Sequence, residues 1–314
     1  MLKIQHFTLI SLCLLLCSCG SKSNNSDEVP VDIVVPIIPD PIVVINVLPE
    51  PEGLGIIPTG QDAGEILKKS IGGVDYTFRW IPAGLFFMGA PDSDLDQFLV
   101  IDITDTLVPI EQPRHQVTLT VGFWMHETEI TQKQWGSLIS ENPSDFLGDN
   151  LPVVNVSHED ITKMDGFIEK LHKQSISSNK FLLPTEAQWE YAYRADTITK
   201  YYWGDNNSTT ELDKYCWYSG NSNNSLQEVG LKLENPWGLK DMSGNAYEVV
   251  IDFSSTYLNV DTVDPTGPTT GTIKIYRGGS FKSDAANCRS TNRIIDHIDL
   301  AYDNQGFRIV LLPD

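Results

Sequence analysis

Between residues 235 and 252 the chain reads NPWGLKDMSGNAYEVVID, and this stretch restricts the available folds more than any other. Glycines at 238 and 244, with Asn235, Asp241, Ser243 and Asn245, tolerate left-handed backbone or cap their own amides, so the chain turns repeatedly here. One long helix is excluded. Trp237, Leu239, Met242, Ala246 and Tyr247 are interleaved with the turn formers, which predicts loops folded back over a core and held by it. Asp241, Ser243, Asn245 and Glu248 supply closely spaced oxygen donors, the chemistry of a hard-cation cradle such as one for calcium. An EF-hand is excluded, because its loop needs Gly at the sixth position and Glu at the twelfth. A polar loop that satisfies its own amides is the competing reading.

The N-terminal residues, MLKIQHFTLISLCLLLCSC, place one lysine before an apolar run and end in Leu16-Cys17-Ser18-Cys19. A small residue just ahead of the cysteine and a leucine three before it are expected of a lipoprotein signal peptide over residues 1–18, with Cys19 lipidated and anchoring the chain to a membrane. The apolar run is too short for an uncleaved spanning helix. Residues 19–60 set a proline every few positions among Val and Ile, which reads as an extended, semi-rigid tether. Residues 61–314 are expected to form one domain.

Charge narrows the partners. Of 22 basic residues Lys3 goes with the signal, leaving 21 against 42 acidic, or −21. Such a balance argues against nucleic acid and against an anionic membrane surface. Of the 5 cysteines, Cys216 and Cys288 remain beyond the signal and the anchor, free to pair in a disulfide or to stay buried as thiols. The 6 histidines show no metal spacing, and His115 and His126 read as surface or hydrogen-bonded structural residues.

Along the domain, alternation predicts strands at 76–82, 85–89 and 116–123. Helix starts are marked at Thr131, Ser157 and Thr185, the first and third as full capping boxes. Behind them Trp135, Leu138 and Ile139, then Ile161, Met164, Ile168 and Leu171, then Trp189, Ala192 and Tyr193 fall on helical faces. From Tyr201 onward only short strands and aromatic-rich loops are expected. The class is α+β.

Nine motifs then appear in order: FMG at 87–89, PRHQV at 113–117, ETEIT at 127–131, PVVNVS at 152–157, LPTEAQWEYA at 183–192, YWGD at 202–205, WGLKDMSGNAYE at 237–248, RGGSF at 277–281 and GFR at 306–308. In this order they resemble the formylglycine-generating enzyme, or sulfatase-modifying factor, family. The resemblance implies a fold related to C-type lectins, with few helices and short antiparallel strands. It also implies structural calcium on Asp241, Met242, Gly244, Ala246 and Glu248, partly through backbone carbonyls. Departures are Leu183 where the family has Arg and Tyr247 where it has Trp.

Family members that make formylglycine need two cysteines five residues apart after Gly-Gly-Ser. Two soft thiolates there bind copper(I). In this chain Cys288 keeps the second position and Ser283 takes the first. A protonated hydroxyl is a hard, poor ligand for copper(I), so copper is not expected and catalytic roles for Ser283 and Cys288 are in doubt. Ser280 is not in a nucleophile elbow, and the pairs Asp102/Asp105 and Asp296/Asp299 read as solvated surface. The expected function is that of a lipid-anchored protein of the bacterial cell envelope, at the outer membrane if the cell is Gram-negative, whose domain binds or assembles a protein or glycan partner. The alternatives are a divergent formylglycine-generating oxidase, or a carbohydrate-binding module using Trp203, Trp217, Tyr218 and Tyr257 as stacking faces.

Overall fold

The computed structural model describes residues 59–91, 99–101, 107–175 and 180–313. The expected signal peptide, Cys19, the tether up to residue 58 and the Asp102/Asp105 pair lie outside them.

The fold is α+β, as the motifs imply. A five-stranded sheet runs in the order β1 (Ile66–Ile71), β2 (Val74–Ile81), β7 (Phe123–His126), β14 (Val310–Leu312) and β8 (Lys180–Leu182). A three-stranded sheet joins β10 (Thr262–Val263), β6 (His115–Leu119) and β3 (Gly84–Met88). A four-stranded sheet follows the order β12 (Arg293–His297), β11 (Ile273–Arg277), β9 (Tyr247–Phe253) and β13 (Gln305–Gly306). The hairpin β4 (Leu99–Ile101) and β5 (Leu107–Pro109) stands apart from these sheets. Most pairings are antiparallel, but β10 on β6 and β13 on β9 are parallel.

Strand β7 explains where the core sits, because all four of its side chains are buried. Trp124 faces one cluster with Tyr76, Phe78, Trp135 and Phe307, while Phe123 and Met125 face another with Phe86, Trp189, Tyr193 and Trp237. A strand buried on both faces lies between two cores rather than at a surface.

The single strand expected at 116–123 is two strands in different sheets. Gly122 is the reason: a Cβ there would lie 2.4 Å from the Trp80 ring and 2.8 Å from the Ile81 carbonyl. Before it, the amide and hydroxyl of Thr120 both donate to Asp264, at 2.8 and 2.5 Å, which fastens the end of β6 to the segment after β10.

All three expected helix starts carry capping boxes, at α1 (Gln132–Gly136), α2 (His158–Thr162) and α4 (Glu186–Arg194). The box at Ser157 is complete because Asp160 Oδ2 accepts from the Ser157 amide at 3.1 Å. The helical face drawn from Ile161 to Leu171 is broken into α2 and α3 (Phe167–Gln174), since Asp165 adopts φ 61°. Met164 is therefore exposed rather than packed. Beyond Tyr201 a helix, α5 (Thr209–Tyr215), stands where only strands and loops were expected.

Candidate functional site

The 241–248 loop is built as its composition requires. Asp241, Gly244 and Asn245 take φ values of 54°, 82° and 60°, the left-handed turns that such residues permit. A Cβ on Gly244 would sit 2.0 Å from the Trp217 carbonyl, so only glycine lets these two segments touch. Asn245 N then donates to Trp217 O at 2.9 Å and Gly244 N to Gly278 O at 2.8 Å, tying the loop to the RGGSF segment.

Glu248 is fully engaged by protein. Arg308 Nε and Nη2 each donate at 2.6 Å, one to each oxygen, and Trp189 Nε1 donates to Oε2 at 2.7 Å. This joins the GFR motif, helix α4 and the loop in one buried ion pair. Asp241 is only half engaged: Oδ2 accepts from the Gly230 amide at 2.5 Å and Oδ1 has no partner. Glu129, from the ETEIT motif, is 0% exposed and neither of its oxygens has a partner.

These three acids repel one another. Burial, then Asp241 and Glu248, push the Glu129 carboxyl well above the usual range. Burial pushes Asp241 up to about 6, with the Gly230 amide and Arg308 opposing it. A buried carboxylate without hydrogen bonds is costly unless a proton or a cation joins it. Among the described residues no three His, Cys, Asp or Glu side chains converge as a ligand set, so a cation here would also draw on backbone carbonyls. Glu129 was not singled out in sequence, because one acid in a strand-to-helix turn looks like any of 42.

The second half of the site holds the sulfurs. Ser283 is 8% exposed, and its Oγ accepts from the Ser280 amide at 3.0 Å and lies 3.0 Å from Ser280 Oγ. It also donates to the Tyr247 hydroxyl at 3.2 Å. Two of the chain's departures from the family pattern thus meet: the hydroxyl at 283 bonds the hydroxyl at 247. Cys288 ends a short 3₁₀ turn, Ala285–Cys288, whose carbonyl accepts from Tyr193 and Ser243. Its sulfur lies 2.7 Å from that of Cys216, and both are free thiols with 0% exposure. Burial, then Cys288, pushes the Cys216 thiol well up, which suppresses its thiolate.

A model of the sulfatase-modifying factor enzyme 1-like domain matches residues 76–312. The chain belongs to this family. Among relatives of the sulfatase-modifying factor domain, the formylglycine-generating enzyme of Streptomyces coelicolor is 33% identical over 181 residues, covering 52% of this chain and 54% of that protein. Chaperone protein LppX of Paenibacillus barcinonensis is 28% identical over 187 residues, 42% of this chain and 62% of the relative. The chain thus spans a little over half the length of these relatives. Treponema denticola variable protein 1 superposes with TM-score 0.67 at 26% identity, covering 79% of this chain and 99% of that one. PvdO from Pseudomonas aeruginosa shares the fold at TM-score 0.65, 22% identity, and 81% and 100% coverage.

Within this sulfatase-modifying factor domain, the four rings considered for sugar stacking are engaged. Trp203 stacks on Tyr201 at 4.5 Å and on Tyr215 at 4.8 Å. Trp217 is covered by Lys232 Nζ at 3.6 Å, Tyr218 is buried, and Tyr257 lies against His115 and Arg293. His126 is buried, held by Thr128 O at 2.9 Å, and burial drops its pKa to about 4. Asp296 and Asp299 contact His297, which is half exposed.

Proposed function

We propose that this chain is a lipid-anchored protein of the bacterial cell envelope whose sulfatase-modifying factor domain binds or assembles a partner instead of oxidising one. One observation carries the reading. Ser283 is bonded into the Ser280–Tyr247 hydroxyl network, so the position that should hold a metal-gripping sulfur is a satisfied, hydrogen-bonded corner of the fold. The cysteine sulfurs among the described residues, Cys216 and Cys288, are fully buried, with no face open to a substrate thiol. That one relative bears the name of a chaperone supports a role outside oxidation.

A second reading has its own observation. Cys216 stands beside Cys288 and restores two sulfurs to one place, and another relative is named as a formylglycine-generating enzyme. The experiment that separates the two incubates the purified protein with copper(I), dioxygen and a Cys-x-Pro-x-Arg peptide, followed by mass spectrometry. An unchanged peptide is expected. Aldehyde formation would overturn the proposal.

The loop is proposed to hold a structural calcium. Glu129 and Asp241 supply unpartnered carboxylate oxygens, backbone carbonyls of Met242, Gly244 and Ala246 complete the hard-oxygen set, and Glu248 contributes charge while it stays bound to Arg308. Chelation with EGTA should lower the melting temperature by several degrees, and Glu129→Gln should remove that dependence. Identical melting with and without chelator would end the calcium assignment.

A further inference from the structure

A cavity of about 220 Å³ opens beside the segment that follows Cys288, lined by Gly89, Arg114, Arg194, Thr199, Ser290 and Thr291. At about 30 Å³ per water molecule it has room for several waters, or for a four-oxygen anion. Its charge surroundings are unusual for a chain of net charge −20.

Behind the cavity, buried guanidinium groups outnumber their acids. Glu190 is shared by Arg194 at 2.8 Å and Arg277 at 2.5 Å. Glu186 is shared by Arg293 at 2.5 Å and Arg277 at 3.5 Å, and Glu111 binds Arg289 at 2.8 Å. Arg114 adds a fifth cation beside Arg194; it feels the already shared Glu190 but makes no ion pair among the described residues. Its Nε is buried without a hydrogen-bond partner, and the contact it makes is the face of Phe87 at 5.0 Å. Burial, and then the like charge of Arg194, hold its pKa below the ordinary value. Among the described residues the ion pairs join four guanidiniums to three carboxylates, and Arg114 adds one more cation at the cavity wall. Arg114 is only partly buried, so an anion arriving from solvent can reach its guanidinium and accept charge-assisted hydrogen bonds there.

We propose that this cavity binds an oxyanion, the sulfate, phosphate or carboxylate group of a ligand, with Arg114 as its charged hydrogen-bond donor. Arg194 contributes field more than donors, since its nitrogens are taken by Glu190 and the Thr199 carbonyl. The Thr291 hydroxyl is committed to Glu111 at 2.6 Å. Ser290 is the hydroxyl that remains, donating only over a long 3.5 Å to Thr199 O. Exposed Lys200 and Asp205 border the opening with one charge of each sign.

The test is calorimetric titration of the purified full-length chain with sodium sulfate, inorganic phosphate and acetate, each at ionic strength fixed with chloride. Saturable binding of at least one anion is expected. A preference for sulfate or phosphate over acetate assigns the site to an ester of that acid, and the reverse order assigns it to a carboxylate. Arg114→Gln should weaken the preferred anion at least tenfold while leaving the melting temperature within a few degrees. Should that variant fail to fold, Lys200→Gln at the exposed rim should weaken it about threefold. No saturable heat with any of the three anions, or equal affinity in the variants, would overturn the proposal.

Discussion

Two buried ionic regions of this domain are unbalanced in opposite senses. Around Arg308 one guanidinium serves Glu248; after burial, Asp241 and Glu248 push the Glu129 carboxyl up, and Glu248 does the same to Asp241. Around Glu190 and Glu186 the guanidiniums are in excess among the described residues, and Arg114 Nε has no hydrogen-bond partner. The overall charge of −20 describes neither region. Interior charge is set by which side chains the fold brings together, and an imbalance marks where a counterion or a proton has to enter. On the acidic side the candidate is calcium; on the basic side it is an oxyanion.

The largest effect is expected from removing the cation of the acidic region. Arg308→Met leaves Glu248 with the Trp189 donor and three buried acids without a guanidinium. Breaking a buried pair in this way costs about 3–5 kcal/mol. Arg194→Met is expected to cost less than about 2 kcal/mol, because Glu190 keeps Arg277 and the Gly89 amide. Urea midpoints at constant slope measure both losses. Equal losses would break the contrast between the regions.

Asp252 sharpens the comparison next. It is 5% exposed and accepts from the Glu186 amide at 2.8 Å, yet burial, and then the neighbouring Glu186, raise its pKa to about 7. The basic region therefore gains a fourth ionised acid only as pH passes neutrality. A carboxyl whose folded pKa exceeds its unfolded value near 4 lends stability at low pH that is lost as pH rises. Between about pH 4 and 7 the melting temperature should accordingly fall by several degrees, and Asp252→Asn should reduce that slope, leaving the part that belongs to Asp241 and Glu129. Lys274, whose pKa burial lowers to about 8, stays charged through the window and does not contribute to it. A slope in the variant equal to that of the wild type would remove Asp252 from the account.

Much of this was legible in the sequence, and for physical reasons. The caps at Thr131, Ser157 and Thr185 are local, so three hydroxyls with acceptors three residues on were enough to place them. The turns at Asp241, Gly244 and Asn245 are likewise carried by residue type. What sequence did not show were meetings between distant segments. Cys216 and Cys288 are 72 residues apart and touch because Gly244 lets the Trp217 carbonyl approach. Ser283 and Tyr247 were each visible as a departure, but not as bonded partners. Glu129 is silent in sequence and becomes informative only when burial strips both its oxygens of partners. The break at Gly122 depends on Trp80, some forty positions earlier.

The smallest effect is the control for the rest. Lys232 is half buried, its ammonium donates to the Asp213 carbonyl and lies 3.6 Å from the Trp217 ring, and burial lowers its pKa. Here water still reaches the charge, so neither an unpaired anion nor a desolvated cation is left when it is removed. Lys232→Ala should cost about 0.5–1 kcal/mol, the worth of one partly solvated cation–π contact. Because the backbone of Trp217 braces Asn245, any larger loss measured by urea denaturation would mean that the cover over this ring supports the 241–248 loop. A loss approaching that of Arg308→Met would show that burial and imbalance are not what separates the two ionic regions from ordinary contacts.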